Sequence, residues 1–256
     1  MVSLGFEDSR VLVTGGTSGI GLAVAQFFLD EGAAVGIVGR RAERMTAALD
    51  LLTSEHPGAA VVGVTADVSD EDALGAAVEQ IAGDLGGLDH VVSSAGVSPT
   101  LGQAVDEVAA GEFLEVQQIN VVGPFLLAKA TLPHLKKGTQ PTFTLIGSDS
   151  GFVAVPGMLA YNASKGAVVQ LTRALSVELH EPFGIRVNSV CPSVVDTPMA
   201  REGLGVESFE DVTYPVSTAE DIAWLVLSLA SRRSRAVNGV SLLADYGFHA
   251  RSSFPA

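Results

Sequence analysis

Apolar residues along the chain follow two alternating rhythms. Short unbroken runs at Arg10–Thr14, Ala34–Val38, Val61–Thr65, Asp89–Ser93, Thr142–Gly147 and Arg186–Val190 have the length and β-branched content of buried strands. Between them, apolar positions recur at helical spacing. Leu22, Ala25, Phe28 and Leu29 precede Gly32, and Met45, Leu49 and Leu52 precede His56-Pro57-Gly58. Leu74, Val78, Ile81 and Leu85 follow an acidic helix start at Ser69-Asp70-Glu71-Asp72. The pattern predicts a long helix from about 112 to 137, another from Tyr161 to His180 carrying Val168, Leu171, Leu175 and Leu179, and one from Ala219. Gly239–Asp245 reads as a last strand. Strands alternating with helices in this way predict an α/β fold, a doubly wound parallel sheet of the Rossmann type flanked by helices. Right-handed crossovers would gather the carboxyl ends of the strands around one crevice.

Two stretches on this frame carry chemistry. Gly15-Gly-Thr-Ser-Gly-Ile-Gly21 follows the first strand and opens the first helix. In that context glycines let backbone N–H groups and a helix N-terminus approach a pyrophosphate, so the turn reads as a dinucleotide site. The second stretch runs from Ser148 to Lys165. Tyr161 and Lys165 stand four apart at the head of a helix and share one face. An ammonium beside a phenol favours the phenolate, which predicts a tyrosine pKa lowered from about 10. Such a hydroxyl can exchange a proton with a carbonyl oxygen, and Ser148, at the end of a strand, can donate a second hydrogen bond to that oxygen.

Composition narrows the class. A chain of 256 residues, 47% hydrophobic, suits one domain over 1–256 with a well-buried core. A net charge of −14 with no block of lysine or arginine argues against nucleic acid and anionic membrane as partners. No apolar run reaches about 18 residues and no signal-peptide pattern opens the chain, so a cytoplasmic location is expected. Cys191 is the single cysteine, which rules out an intrachain disulfide, and it reads as a small core hydrophobe. His56, His90, His134, His180 and His249 lack metal-ligand spacing; each is expected at the surface or a helix end, and no metal site is expected.

The glycine spacing is Thr-Gly-x-x-x-Gly-x-Gly. With Tyr-x-x-x-Lys it resembles the short-chain dehydrogenase/reductase family, and the likeness runs from about residue 8 to residue 247. The resemblance implies an oxidoreductase that transfers a hydride between a nicotinamide cofactor and a small carbonyl or secondary-alcohol substrate. It implies four catalytic residues. Tyr161 is the general acid or base, Lys165 lowers its pKa and binds the nicotinamide ribose, Ser148 polarises the carbonyl, and Asn120 of Ile-Asn-Val-Val-Gly holds a relay water. The implied cofactor site takes Gly15, Thr17, Ser18, Gly19, Ile20 and Gly21 from the glycine turn. Asp67 and Val68 lie along the adenine, Ser94, Ala95 and Gly96 flank the cofactor, and Thr197 faces the nicotinamide carboxamide, with Tyr161 and Lys165 completing the set.

Gly39 stands where an acid would hold the 2′-hydroxyl of NAD, and Arg40 and Arg41 follow it, which predicts NADP(H). Residues 198–217 are expected to form a substrate-covering loop, whose apolar residues join Phe152, Val153, Val155 and Met158 in an apolar pocket. Family members pair the helices at 112–137 and 161–180 across subunits, so a homo-oligomer, tetramer or dimer, is expected. The chain departs from the family pattern at Ser93-Ser94, usually Asn-Asn, at Ser193, usually Gly, and at Tyr246, usually Gly. Two alternatives carry less of the pattern. A non-catalytic NADP-binding regulatory protein would not need Ser148, Tyr161 and Lys165 together. An epimerase or dehydratase of the extended relatives would show different glycine spacing and a large C-terminal substrate domain.

Overall fold

The computed structural model describes residues 4–251. Seven strands, all paired in parallel, form one sheet in the order β3-β2-β1-β4-β5-β6-β7. They are β1 (Arg10–Thr14), β2 (Ala34–Gly39), β3 (Val61–Thr65), β4 (His90–Ser93), β5 (Thr142–Ile146), β6 (Arg186–Pro192) and β7 (Ser241–Ala244). The helices are α1 (Gly19–Asp30), α2 (Ala42–Glu55), α3 (Glu71–Leu85), α4 (Ala110–Gln117), α5 (Gly123–Leu135), α6 (Leu159–Phe183), α7 (Pro198–Leu204) and α8 (Ala219–Ala230). Side chains alternate across the sheet. Val11 and Val13 of β1 join Val24, Phe28, Met45, Ile222 and Val226 in one core, on the side of α1, α2 and α8. Leu12 points the other way and joins Leu74, Ile81, Leu127, Phe143 and Val168, on the side of α3, α5 and α6. Strand order reverses between β1 and β4, and open sheets of this type leave a crevice there, at the carboxyl ends.

The long helix predicted over 112–137 is interrupted. α4 ends at Gln117, a π-helical turn spans Gln118–Val122, and α5 continues from Gly123. The cause is Asn120, whose buried amide pairs with the backbone of Val97 instead of facing solvent. β6 runs two residues beyond its predicted end, and the last strand is shorter than expected, at Ser241–Ala244.

The amino ends of the strands hold charges that are matched by partners. Arg10 and Asp89 pair through two guanidinium bonds of 2.8 Å, and Asp89 also accepts from the Arg10 and Thr139 N–H groups. The Arg186 guanidinium donates to the carbonyls of Leu229, Ala230, Ser231 and Val237, closing the end of α8. His90 corrects an expectation, because it is buried rather than at the surface. It lies edge-on to Phe6 and stacked on Phe28, with Nδ1 2.8 Å from Thr142 Oγ1. Burial pushes its pKa down to about 4. Among the described residues no helix is long and apolar enough to cross a membrane, and no group of three or more potential ligands could hold a metal ion.

Candidate active site

The glycine turn forms a cradle at the carboxyl end of β1. Gly15 adopts φ +69° against the backbone of Ala95, where an added Cβ would lie 2.9 Å from Ala95 Cα. A Cβ on Gly21 would run into the carbonyl oxygen of Gly15. Gly19, at φ +53°, faces Thr197, whose Cγ2 would stand 3.2 Å from such a Cβ. The turn thereby meets the ends of both β4 and β6. Ser18 precedes α1 without making a side-chain cap bond, whereas Asp70 and Thr218 cap α3 and α8. Free N–H groups, the positive end of a helix and a surface without side chains fit a dinucleotide pyrophosphate. Ile20 turns toward the core on the α1 side.

Ser94 and Ala95 hold their place through the backbone. Their N–H groups both donate to Thr14 Oγ1, at 3.2 and 3.3 Å. Loss of the usual asparagine side chains therefore leaves this link intact. Gly96 closes on Asn120, with Oδ1 3.2 Å from where its Cβ would be.

At the end of β2, a Cβ on Gly39 would meet Thr17 Cγ2 at 2.7 Å and Oγ1 at 3.1 Å. Arg40 and Arg41 are exposed just beyond. Arg40 Nη1 lies 3.6 Å from Asp67 Oδ2, while Asp67 Oδ1 accepts from the Ser69 N–H and hydroxyl at 2.9 and 2.6 Å. Burial alone would raise the Asp67 pKa, but Ser69 and Arg40 outweigh it and hold the carboxyl below its ordinary range. Val68 is buried against Gly123.

Ser148 leaves β5 in extended backbone; its Oγ donates to Asp149 Oδ1 and accepts from the Ser150 N–H, both at 3.1 Å. Tyr161 stands in the first turn of α6, and the Ser148 hydroxyl is close enough to favour its ionised form. Lys165 is buried one turn later. Its Nζ donates to the Ile146 carbonyl at 3.0 Å and stands 5.4 Å from the Tyr161 ring centroid. The structure thus brings Ser148, Tyr161 and Lys165 together, but it does not show the expected lowering of the tyrosine pKa. Burial pushes the phenol up to about 12, the nearby Ser148 hydroxyl opposes this, and Asp149 and Cys191 add to the rise. Burial also pushes Lys165 down to about 8. Helical spacing put the ammonium on the right face, but in this state it is docked on Ile146 rather than on the hydroxyl. Cys191 is fully buried, as read from sequence, and burial raises its thiol pKa.

Asn120 is saturated by protein. Oδ1 accepts from the Val97 N–H at 2.9 Å, and Nδ2 donates to the Val97 carbonyl at 3.0 Å and to Ser164 Oγ at 3.1 Å. The Thr197 hydroxyl accepts from the Ala200 N–H at 3.2 Å and so caps α7. Segment 198–217 opens with α7, where a Cβ on Gly203 would lie 3.5 Å from Leu101 Cδ1. Its far end returns to the segment just after β6 through a Val195–Ser217 bridge. Met199, Leu204 and Tyr214 are exposed on it and Phe209 is buried. Arg201 is engaged by Asp196 through bonds of 2.6 and 2.8 Å. Sequence reasoning missed Gln117 and Ser164, whose bonds join the π-helical segment to α6. Their partners lie more than forty positions away, and no local pattern marks them.

Such a sheet, with a glycine cradle at its first turn and Ser148, Tyr161 and Lys165 meeting beyond β5, defines a class of dinucleotide-dependent enzyme. The chain belongs to the short-chain dehydrogenase/reductase family, and it is an oxidoreductase of that nicotinamide-using family. A profile described as "Enoyl-(Acyl carrier protein) reductase" matches residues 15–249. The chain is 36% identical over 251 residues to the 2-(R)-hydroxypropyl-CoM dehydrogenase of Xanthobacter autotrophicus, covering 94% of this chain and 99% of that one. It is 31% identical over 253 residues to the NADP-dependent (R)-specific alcohol dehydrogenase of Lentilactobacillus kefiri, covering 94% and 96%. Among solved structures, a short-chain dehydrogenase from Burkholderia cenocepacia in complex with NADP superposes with a TM-score of 0.82 at 30% identity, covering 94% and 97%.

Proposed function

We propose that the protein is an NADP(H)-dependent carbonyl reductase or alcohol dehydrogenase acting on a small, uncharged ketone or its secondary alcohol. The observation that carries this reading is the meeting of Ser148, Tyr161 and Lys165, with Lys165 Nζ 5.4 Å from the Tyr161 ring centroid, at the same carboxyl ends of the strands as the glycine cradle. The bound nicotinamide would supply or accept the hydride. In reduction, Tyr161 gives its phenolic proton to the carbonyl oxygen, and a pKa near 12 keeps that proton available across the working range. Ser148 turns its hydroxyl from Asp149 to the same oxygen. In oxidation Tyr161 must act as a base, which requires Lys165 to leave the Ile146 carbonyl and approach the hydroxyl. Asn120 acts through the backbone it bends, because its amide is already engaged.

For the cofactor, the glycine turn would hold the pyrophosphate, Asp67 and Val68 the adenine, Ser94 to Gly96 and Thr197 the inner half, and Lys165 the ribose. Arg40 and Arg41 would hold a 2′-phosphate. The NADP named for the Lentilactobacillus enzyme and the Burkholderia complex supports that preference. An uncharged substrate is favoured by the covering segment 198–217. It carries Glu202, Glu207, Glu210 and Asp211, while Arg201 is already paired with Asp196. A homo-oligomer, tetramer or dimer, is part of the reading, with Leu114, Phe125 and Val177 exposed on α4, α5 and α6. Light scattering at micromolar concentration would give its mass. The tail from Phe248 to Ala256 is also read as reaching a neighbouring subunit; its residues 252–256 lie outside the described residues.

The test is loss of NADPH absorbance over a panel of neutral ketones and matched keto acids. Turnover of neutral ketones, with the acids slower by about tenfold or more, is expected from like-charge repulsion at the covering segment. Absence of turnover in either direction, with any ketone or alcohol, would remove the assignment.

A further inference from the structure

Two side chains outside the tyrosine–lysine helix hold its first two turns. Gln117, the last residue of α4, donates from Nε2 to the main-chain carbonyl of Ala160 at 2.9 Å. Three residues later, Asn120 Nδ2 donates to Ser164 Oγ at 3.1 Å, and Ser164 Oγ donates to the carbonyl of Tyr161 at 2.8 Å. One contact falls on the residue before Tyr161, the other passes through the residue before Lys165. Both come from the junction where α4 passes into the π-helical turn.

That helix end has little support of its own. Met158 occupies the N-cap position of α6 and makes no side-chain cap bond, and an uncapped first turn is where a helix frays. On its exposed side, Asn162 Nδ2 donates to the Val155 carbonyl at 2.9 Å, within the adjoining loop. On its inner side the support is Gln117 and Asn120. Asn120 cannot yield, because its amide is also held at both ends by Val97.

We propose that Gln117 is a positioning residue for Tyr161. Its amide and the Asn120–Ser164–Tyr161 chain of bonds form a two-point clamp on the start of α6, which keeps the phenolic hydroxyl facing Ser148. The proposal rests on Tyr161 as the proton-transfer group, while the clamp itself does not depend on the substrate. A misplacement of about 1 Å in a reacting group can cost on the order of 10² in rate. Loss of one hydrogen bond, about 1 kcal/mol, should cost about tenfold or less.

The experiment uses the full chain carrying Gln117→Leu, which removes the donor, and Gln117→Glu, which keeps the shape but cannot donate while ionised. Amide hydrogen exchange across residues 159–166 should quicken about tenfold in both, with residues 172–183 unchanged. With a ketone that the wild type reduces, kcat should fall about tenfold while KM and the NADPH dissociation constant stay within about threefold. The loss should vanish in a Tyr161→Phe background, where there is no hydroxyl left to position. Wild-type exchange at 159–166 would overturn the clamp, whether or not a substrate has been found. So would wild-type kcat in Gln117→Leu, or the same fractional loss on top of Tyr161→Phe. Should Gln117→Leu fail to fold, Gln117→Glu carries every arm. Failure of the wild type to reduce any ketone would instead count against the proposed function, and the exchange result would still decide the clamp.

Discussion

The two ends of the sheet treat buried charge in opposite ways. At the amino ends, Arg10 and Asp89 are matched by each other and by backbone donors, and their pKa values move toward the charged state. The side-chain bond to Asp89 dominates the rise at Arg10; at Asp89, burial pulls upward but the bonds from Arg10 and Thr139 prevail. At the carboxyl ends, Lys165 has one neutral partner, the Ile146 carbonyl, and Tyr161 has the Ser148 hydroxyl. Both move toward the neutral state, Lys165 down to about 8 and Tyr161 up to about 12. Removing one partner of a matched pair would leave an uncompensated buried charge, whereas a buried ionisable group without an ionic partner shifts toward its neutral form. Arg186 and His90 depart from the rule at their own end: burial pushes Arg186 down, with backbone carbonyls as its partners, and His90 is buried and neutral, packed between two phenylalanines.

The largest expected effect lies at the carboxyl ends. Tyr161→Phe should lower kcat by about 10²–10⁴ while the NADPH dissociation constant and the melting temperature hold. A variant that melts several degrees lower would make the hydroxyl structural and dissolve the contrast. At the amino ends the matching effect is on stability. Folded His90 titrates at about 4 against an ordinary 6.5, so its contribution is present above 6.5 and is lost as pH falls toward 4. The full loss is on the order of 3 kcal/mol. Urea unfolding at pH 7 and near pH 4 should show most of that difference disappearing in His90→Gln. An unchanged difference would place the acid sensitivity elsewhere.

The smallest effect concerns cofactor choice. One charge-assisted bond from Arg40 to a 2′-phosphate predicts NADPH over NADH by about 10- to 100-fold in kcat/KM. Gly39→Asp with Arg40→Ala should reverse the preference. Because a Cβ at position 39 would crowd Thr17 Cγ2 at 2.7 Å, adding Thr17→Ser should raise NADH use further. Wild-type kcat/KM equal for the two cofactors would sink the assignment.

Sequence made legible what local chemistry specifies. Glycine spacing after a strand, and a tyrosine and a lysine one helical turn apart, each depend on neighbours in the chain. What stayed hidden depends on residues far away. The resemblance implies that Asn120 bends the 112–137 helix, but not that Val97 is the distant partner that satisfies its amide. The burial of His90 needs Phe6 and Phe28, and the raised pKa of Tyr161 comes from packing around it rather than from its spacing to Lys165. Gln117 looks like any polar helix residue until Ala160 is placed beside it.

The contact between α1 and α8 bears on how the chain is made. Helix α1 forms from the first thirty or so residues, yet its cover in the core is Ile222, Ala223, Val226 and Leu227 of α8. The start of the chain is also tied to that late segment, because the Ser231 hydroxyl donates to the Leu4 carbonyl across 227 positions. At roughly 5–20 residues per second, a ribosome needs on the order of ten seconds or more to supply that cover. Throughout that interval the apolar face of α1 lacks its native partner, so this half of the core cannot close until α8 has been made.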